Sequence, residues 1–390
     1  MQALIITRYN YPNGDAGAVR QQAIGDILYE KGYDVHIIGV GNHTQITEGC
    51  CKNTPYTQFP KRTGSVFKKG WGLTVEYPRY LKQYLNSLPN TPDIIVVTRL
   101  SIASFLFVKK YASSHNIPVF HDCVEWFSFN QIFHSGFSIG MLIEYITASV
   151  EITKLSRGIN IISISSYLDD YFIRVKRNSY RLPVIMDVNS HQCIKYPSSK
   201  FLNILYAGSP ASKDYVVEIL DAMLLLNDEE RRNIKFTLLG ISEEQLKSLC
   251  NLKEEEYQRL TDSLQPMGRV PRDTVLEHLK ATDFSVIIRS STARYAKAGF
   301  PTKSVEALMS GTSLFLNMTS DLGMYLKDGY DCIEVENETP EAIAVALRRA
   351  LALTPEEKDQ MKKNARKTAE DNFDYRLYIE SFGQFIQNAK

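Results

Sequence analysis

The sequence predicts two successive α/β units, each a doubly wound, mostly parallel sheet covered by helices on both faces. Three observations carry this. Short apolar runs alternate with amphipathic stretches, a polar break (PSSK, 197–200) interrupts the alternation, and the pattern then starts afresh. A chain of 390 residues has room for two or three domains, and 44% hydrophobic content can fill their cores.

In the first half, ALIITR (3–8) leads through a glycine-containing loop into a helix at about 18–31, and VHIIGV (35–40) follows. DIIVVTR (93–99) precedes a helix from about Ser101 to Ser113, then IPVF (117–120). NIISIS (160–165), a helix near 166–176 and LPVI (182–185) close the half. Between Thr44 and Pro92 the alternation is lost. In the second half FLNILYAG (201–208), IKFTLLG (234–240), FSVIIR (284–289), TSLFLN (312–317) and CIEVE (332–336) read as strands with helices between them. The stretch from Pro355 is helical and charged, and ends in the aromatic FDYRLYIESFGQF (373–385). The expected division is 1–190, 191–372 and a terminal segment 373–390.

The 45 Lys and Arg against 44 Asp and Glu exclude a strongly basic nucleic-acid binder. Residues 1–200 carry 21 against 14 and residues 201–390 carry 24 against 30, so the first half is suited to an anionic partner or a membrane surface. Six scattered cysteines, without a CxxC pair, indicate neither a zinc site nor a disulfide framework, which favours a reducing compartment. MQALIITRYNYP is a short strand rather than a signal peptide, and no apolar run approaches the roughly 18–20 residues that span a bilayer. A cytoplasmic protein is expected, soluble or peripheral at the inner face of the cell membrane.

Chemistry concentrates in RSSTARYAKAGFPTKSVEALMSGTSLFLN (289–317), where a strand passes through a polar loop into a helix at about Thr302. In open α/β sheets ligands bind outside the carboxyl ends of strands. Free N–H groups at that helix start, the positive end of its dipole and the Lys303 ammonium suit a diphosphate, with Thr302 and Ser304 beside them. Glu306, in the first turn, is placed to accept ribose hydroxyls. The alternative is an ordinary connection, with Thr or Ser capping the helix and Glu complementing its dipole.

GFPTKSVEALMSGT (299–312) resembles the signature of glycosyltransferase family 4. That resemblance implies the GT-B fold: two Rossmann-like domains facing across a cleft, with a C-terminal helix crossing back to the first. In the family two glutamates, separated by seven residues, surround a Gly-Phe-Gly loop at the nucleotide-sugar site. Glu306 matches the second, Gly299-Phe300 the Gly-Phe, and Ala298 stands where the first Glu is expected. The run Phe300, Pro301, Thr302, Lys303 resembles bacterial capsule and exopolysaccharide transferases. ILYAGSPASKDYVVEILDAM (204–223) resembles the family's YxGsxxxKD segment, which implies that Gly208 and Lys213 meet the donor phosphates. Ser209-Pro210 replaces a frequent Arg, so Arg289 or Arg294 is expected to supply the cation. MGRVPRDTVLEHLKATDFSVIIR (267–289) resembles the stretch along the nucleobase, implying backbone contacts from Gly268 and Arg269.

In the first half RYNYPNGDAGAVRQQAIGDILYEKG (8–32) resembles the family's N-terminal glycine loop. Gly14 and Gly17 permit tight backbone, and Arg20 occupies a frequent family position near donor phosphates. HDCVEWFSFNQ (121–131) follows a strand; its DxxEW resembles loops of capsule-type members, and His121 sits where many members carry a histidine near the donor sugar. His121, Asp122, Glu125 and Lys303 are the candidate catalytic groups, a carboxylate taking the acceptor proton. KRTGSVFKKGWGLTVEYPRYLKQYL (61–85) mixes basic and aromatic residues, which fits an anionic membrane surface or a lipid pyrophosphate; an ordinary loop and helix is the alternative.

The expected activity is transfer of a sugar from a nucleotide diphosphate donor to a hydroxyl of a glycan or lipid-linked acceptor in surface polysaccharide synthesis. The resemblance implies retention of configuration. No Asp-x-Asp motif is present, so no metal or other cofactor is expected. Two rivals remain: a nucleotide-sugar epimerase on the same fold, and a non-catalytic transferase-like binding subunit.

Overall fold

The structure is a computed structural model and describes residues 1–12, 16–129, 139–190, 196–208, 214–250 and 253–389. Contacts divide it into two compact units. The first comprises Met1–Asp187, Ala298–Phe300 and Asp374–Lys390; the second comprises Val188–Lys297 and Pro301–Phe373.

The first unit contains strands β1 (Gln2–Thr7), β2 (Asp34–Gly41), β3 (Thr47–Cys51), β4 (Thr54–Pro60), β5 (Ile94–Thr98), β6 (Val119–Cys123), β7 (Asn160–Ser163) and β8 (Ser179–Arg181). They form one sheet in the order β3-β4-β2-β1-β5-β6-β7-β8, parallel throughout except where β3 meets β4. Chain direction across the sheet reverses at β1, so β1 and β5 flank the topological switch point. The core lies on both faces. Ile5, Ile37 and Val96 pack under one set of helices, and Leu4, Ile38 and Val97 under the other.

The terminal segment fills part of that core. Phe382 and Ile386, from the Ile379–Asn388 helix, are fully buried with Ile24, Ile27 and Leu28 of the Ala16–Glu30 helix. Phe385 stacks on Tyr180 with centroids 5.2 Å apart. Arg376 adds ion pairs to Asp187 at 3.0 Å and to Asp374 at 2.9 Å.

The second unit contains β9 (Leu202–Ala207), β10 (Ile234–Leu239), β11 (Leu264–Gly268), β12 (Phe284–Ile287), β13 (Ser313–Leu316) and β14 (Cys332–Glu334). Its all-parallel order, β11-β10-β9-β12-β13-β14, is the 3-2-1-4-5-6 order of dinucleotide-binding sheets, with the switch point between β9 and β12.

Three elements differ from the sequence expectation. LPVI is not the last strand of its half: β8 is Ser179–Arg181, and Pro183 has no N–H to continue a ladder. The region without alternation holds the antiparallel pair β3–β4, turning at Lys52 with φ 53°. Strand β11 is an additional edge strand, half exposed along its length.

Candidate functional site

At the switch point of the second sheet, β9 runs out into Gly208, whose N–H donates to the Leu239 carbonyl at 2.9 Å. A Cβ on Gly208 would lie 2.3 Å from Lys303 Nζ and 3.0 Å from the Tyr206 hydroxyl. The ammonium rests against the strand end, where a side chain at 208 would displace it. Lys303 belongs to the first turn of the Thr302–Met309 helix. Its Nζ is 2.9 Å from Asp214 Oδ2 and 4.8 Å from the centroid of the Tyr206 ring. The Tyr206 hydroxyl donates to the same Asp214 oxygen at 2.7 Å. Burial by itself would raise the Asp214 pKa. The Lys303 charge and the two hydrogen bonds outweigh it and hold the carboxyl below its ordinary range. Burial, reinforced by Asp214, pushes the Tyr206 phenol up, so it stays a donor.

Arg289 leaves the neighbouring strand. Its N–H donates to Asn317 Oδ1 at 3.0 Å, and Asn317 Nδ2 returns a bond to its carbonyl at 2.7 Å. Its guanidinium stands 5.9 Å from the Tyr295 centroid, and its charge favours the ionised forms of Tyr206 and Asp214. Lys303 and Arg289 against Asp214 leave one surplus positive charge at the edge. The helix cap is Pro301, and no side chain caps it. The dipole end of this helix is therefore not satisfied by the Thr or Ser cap of an ordinary connection.

Other predicted donor residues are placed less simply. Glu306 holds Arg272 through Oε1 at 2.9 Å, an arginine the sequence reading did not single out. Ser304 is fully buried, and both its N–H and its hydroxyl donate to the Pro301 carbonyl, at 3.0 and 2.6 Å. It braces the helix start rather than offering a hydroxyl, which corrects that expectation. Gly268, at φ 65°, has its N–H on the Ile241 carbonyl at 2.8 Å and its carbonyl on the Gly240 N–H at 2.6 Å. Its N–H is therefore taken, and its carbonyl keeps one lone pair for a backbone contact. Arg269 is exposed, Thr302 half-buried, and Phe300 and Pro301 buried. Gly14 and Lys213 lie outside the described residues.

In the first unit the largest departures concern Arg20, Asp122 and His121. Arg20 is 3% exposed, and its guanidinium donates to Asp122 Oδ1 at 3.0 and 2.8 Å and to the carbonyls of Leu182 and Pro183. Asp122, 1% exposed, also accepts from Gln21 and Thr98. The pair neutralises itself inside the unit, so Arg20 is not a phosphate ligand and Asp122 is not the proton acceptor expected from sequence. His121 is 2% exposed and edge-on to Phe105, and burial lowers its pKa to about 4. It stays neutral, and its Nδ1 has no hydrogen-bond partner among the described residues. Glu125 is held by Arg99 at 2.8 Å. Gly17 allows close packing, since a Cβ there would fall 2.1 Å from the Tyr9 ring.

The charged groups gathered at the carboxyl edge of the first sheet are instead Arg8, after β1, and Arg99, after β5. Both reach Glu144, at 3.3 and 2.6 Å, and Arg8 Nε donates to the Arg99 carbonyl. Their sequence signal was the single arginine ending each of two apolar runs. Among the described residues no three His, Cys, Asp or Glu side chains are grouped to hold a metal ion, and no helix is long and apolar enough to cross a membrane.

Residues 195–368 match the family model of glycosyl transferases group 1. No curated protein matches the chain. Among solved structures, the chain is similar to sucrose-phosphate synthase from Thermosynechococcus elongatus, with TM-score 0.76 and 15% identity over 100% of this chain and 99% of that one. It is similar to WaaG, a glycosyltransferase involved in lipopolysaccharide biosynthesis, with TM-score 0.69 and 14% identity over 98% and 99%. It is also similar to Anabaena HepE in complex with UDP and glucose, with TM-score 0.67 and 13% identity over 99% of each chain. The fold is GT-B, and residues 195–368 form a domain that matches the glycosyl transferases group 1 model.

Proposed function

We propose that this chain is a glycosyltransferase that takes a UDP-sugar into its second unit and transfers the sugar, with retention, to a hydroxyl of a glycan or lipid-linked acceptor taken up by the first. The observation that carries the donor reading is the Lys303 ammonium, seated beside Gly208 and held by Asp214 at the switch point of a 3-2-1-4-5-6 sheet. HepE, solved with UDP and glucose, supports the choice of base.

In this reading the diphosphate lies at the uncapped start of the Thr302–Met309 helix, between Lys303 and Arg289, while Glu306 receives the ribose hydroxyls. As the bond between the anomeric carbon and the diphosphate oxygen breaks, negative charge grows on the leaving group. Fixed positive groups stabilise that charge more than the ground state, which is what lowers the barrier. The acceptor hydroxyl forms the new bond, and its proton passes to the departing phosphate. Protein cations serve here in place of a metal. The reading extends to surface polysaccharide assembly at the cytoplasmic face of the membrane, supported by the FPTK sequence and by the basic-aromatic stretch, where Phe67 and Trp71 stand exposed beside Lys68 and Lys69.

The test is a thermal-shift comparison of uridine, guanosine and adenosine diphosphates. UDP should raise the midpoint most, in proportion to its occupancy. No shift with any of the three would overturn the donor assignment.

A further inference from the structure

We infer that the carboxyl edge of the first sheet holds a binding site for a phosphate group carried by the acceptor. The inference rests on the reading of the first unit as the acceptor-binding one. A cavity of about 310 Å³ opens there, lined by Arg8, Tyr9, Lys61, Lys69, Arg99 and Glu144 among others. That volume is at the small end of the range for ligand pockets and admits about one phosphorylated sugar ring.

Its position follows from topology. Arg8 and Arg99 follow β1 and β5, the strands flanking the switch point, where open α/β sheets bind their ligands. Its charge is one-sided. Arg62, also on the wall, is neutralised by Glu76 through two bonds of 2.8 and 2.6 Å. Glu144 and Glu125 balance Arg8 and Arg99 in the same way, which leaves the ammonium groups of Lys61 and Lys69 as the surplus. The surplus of two positive charges matches a phosphate dianion. The two arginines are positioned before any ligand arrives: Glu144 fixes both guanidinium groups, and Arg8 is tied to the Arg99 carbonyl. Arg99 takes φ 50°, an uncommon conformation for a residue with a side chain, and such strain collects where a site demands a particular orientation. The lysines are exposed, and among the described residues neither ammonium has a carboxylate partner. Arginine forks suit phosphate geometry, and mobile lysines at a mouth suit capture. Tyr9 supplies a ring wall for a sugar face.

The phosphate has two sources, a soluble sugar phosphate or the phosphate of a lipid-linked acceptor. The experiment titrates the full chain calorimetrically with glucose 6-phosphate, with glucose, and with phosphatidylcholine vesicles with and without polyprenyl phosphate. The same titrations are run on Lys61→Met/Lys69→Met, whose thermal midpoint is checked against the parent. Saturable binding of one phosphate probe, absent for its uncharged counterpart and weakened at least about tenfold in the double variant, supports the site. The probe that binds identifies the source. Failure of both phosphate probes, equal binding of glucose and its phosphate, or undiminished binding in a folded double variant overturns it. UDP titrated into the same preparations separates the cases: loss of UDP binding in the parent strikes the donor reading, whereas retained UDP binding with no phosphate binding strikes this site alone.

Discussion

Replacing Lys303 by Met keeps most of the aliphatic stem over Tyr206 and removes the charge. A unit-charge pair about 4 Å apart is worth roughly 4 kcal/mol at an effective dielectric of about 20 and roughly 1 kcal/mol in water. The Lys303 side chain is 40% exposed, so the interaction with a diphosphate belongs near the lower figure. The expected loss is about 1–2 kcal/mol, or roughly 5- to 30-fold in kcat/KM. A second effect has the same sign. Asp214, its side chain 15% exposed, loses the ammonium that offsets its burial, and faces the incoming phosphates as an uncompensated anion. Lys303→Met/Asp214→Asn should therefore recover part of what the single change loses. The assay is initial-rate UDP-sugar turnover alongside UDP calorimetry, with turnover falling further than UDP affinity. Parent-like kcat/KM in Lys303→Met would refute the reasoning.

Three further outcomes are expected. Glu306→Ala should weaken UDP binding by about 1–3 kcal/mol, the scale for hydrogen bonds to a charged group, and unchanged calorimetric affinity excludes its ribose role. Arg20→Leu leaves Asp122 charged and buried, so the first unit should lose about 3–5 kcal/mol in urea unfolding; a midpoint equal to the parent's contradicts the buried pair. Glu151 is buried, with Oε1 unpartnered among the described residues, and burial raises its pKa from 4.5 to about 8. Since the folded state then binds the extra proton, stability should fall as pH rises from about 4.5 to about 8. Glu151→Gln should flatten that slope in thermal melts, and a parallel pH profile in the variant counts against it.

Most strands were legible because parallel strands covered on both faces are uninterrupted apolar runs, such as ALIITR and TSLFLN. Those that escaped lie at or near edges. TEGCC of β3 and LQPMG of β11 expose alternate residues and lack a core's composition, and so resemble loops. In the site, the helix beginning at Thr302 could be found because its signal is local: strand, loop, small residues, lysine, glutamate. What surrounds it is not local. Lys303 and Asp214 are 89 positions apart, and Arg8 and the Arg99 carbonyl 91. Nothing in either neighbourhood announces its partner. The same blindness misassigned Arg20 and Asp122, each a plausible active-site residue until the chain folds across a separation of 102 positions and the two are found holding each other.

The interior of the first unit is closed by Phe382 and Ile386, from the far end of the chain. During synthesis that half therefore cannot finish its hydrophobic packing when its own sheet has emerged. At ribosomal speeds of about 5–20 residues per second it waits for roughly ten to forty seconds, while the intervening 188–373 stretch is made and is free to fold first. Over that interval the groove left for the last helix is an uncovered apolar surface on the nascent chain, and the second unit has its full sequence before the first does.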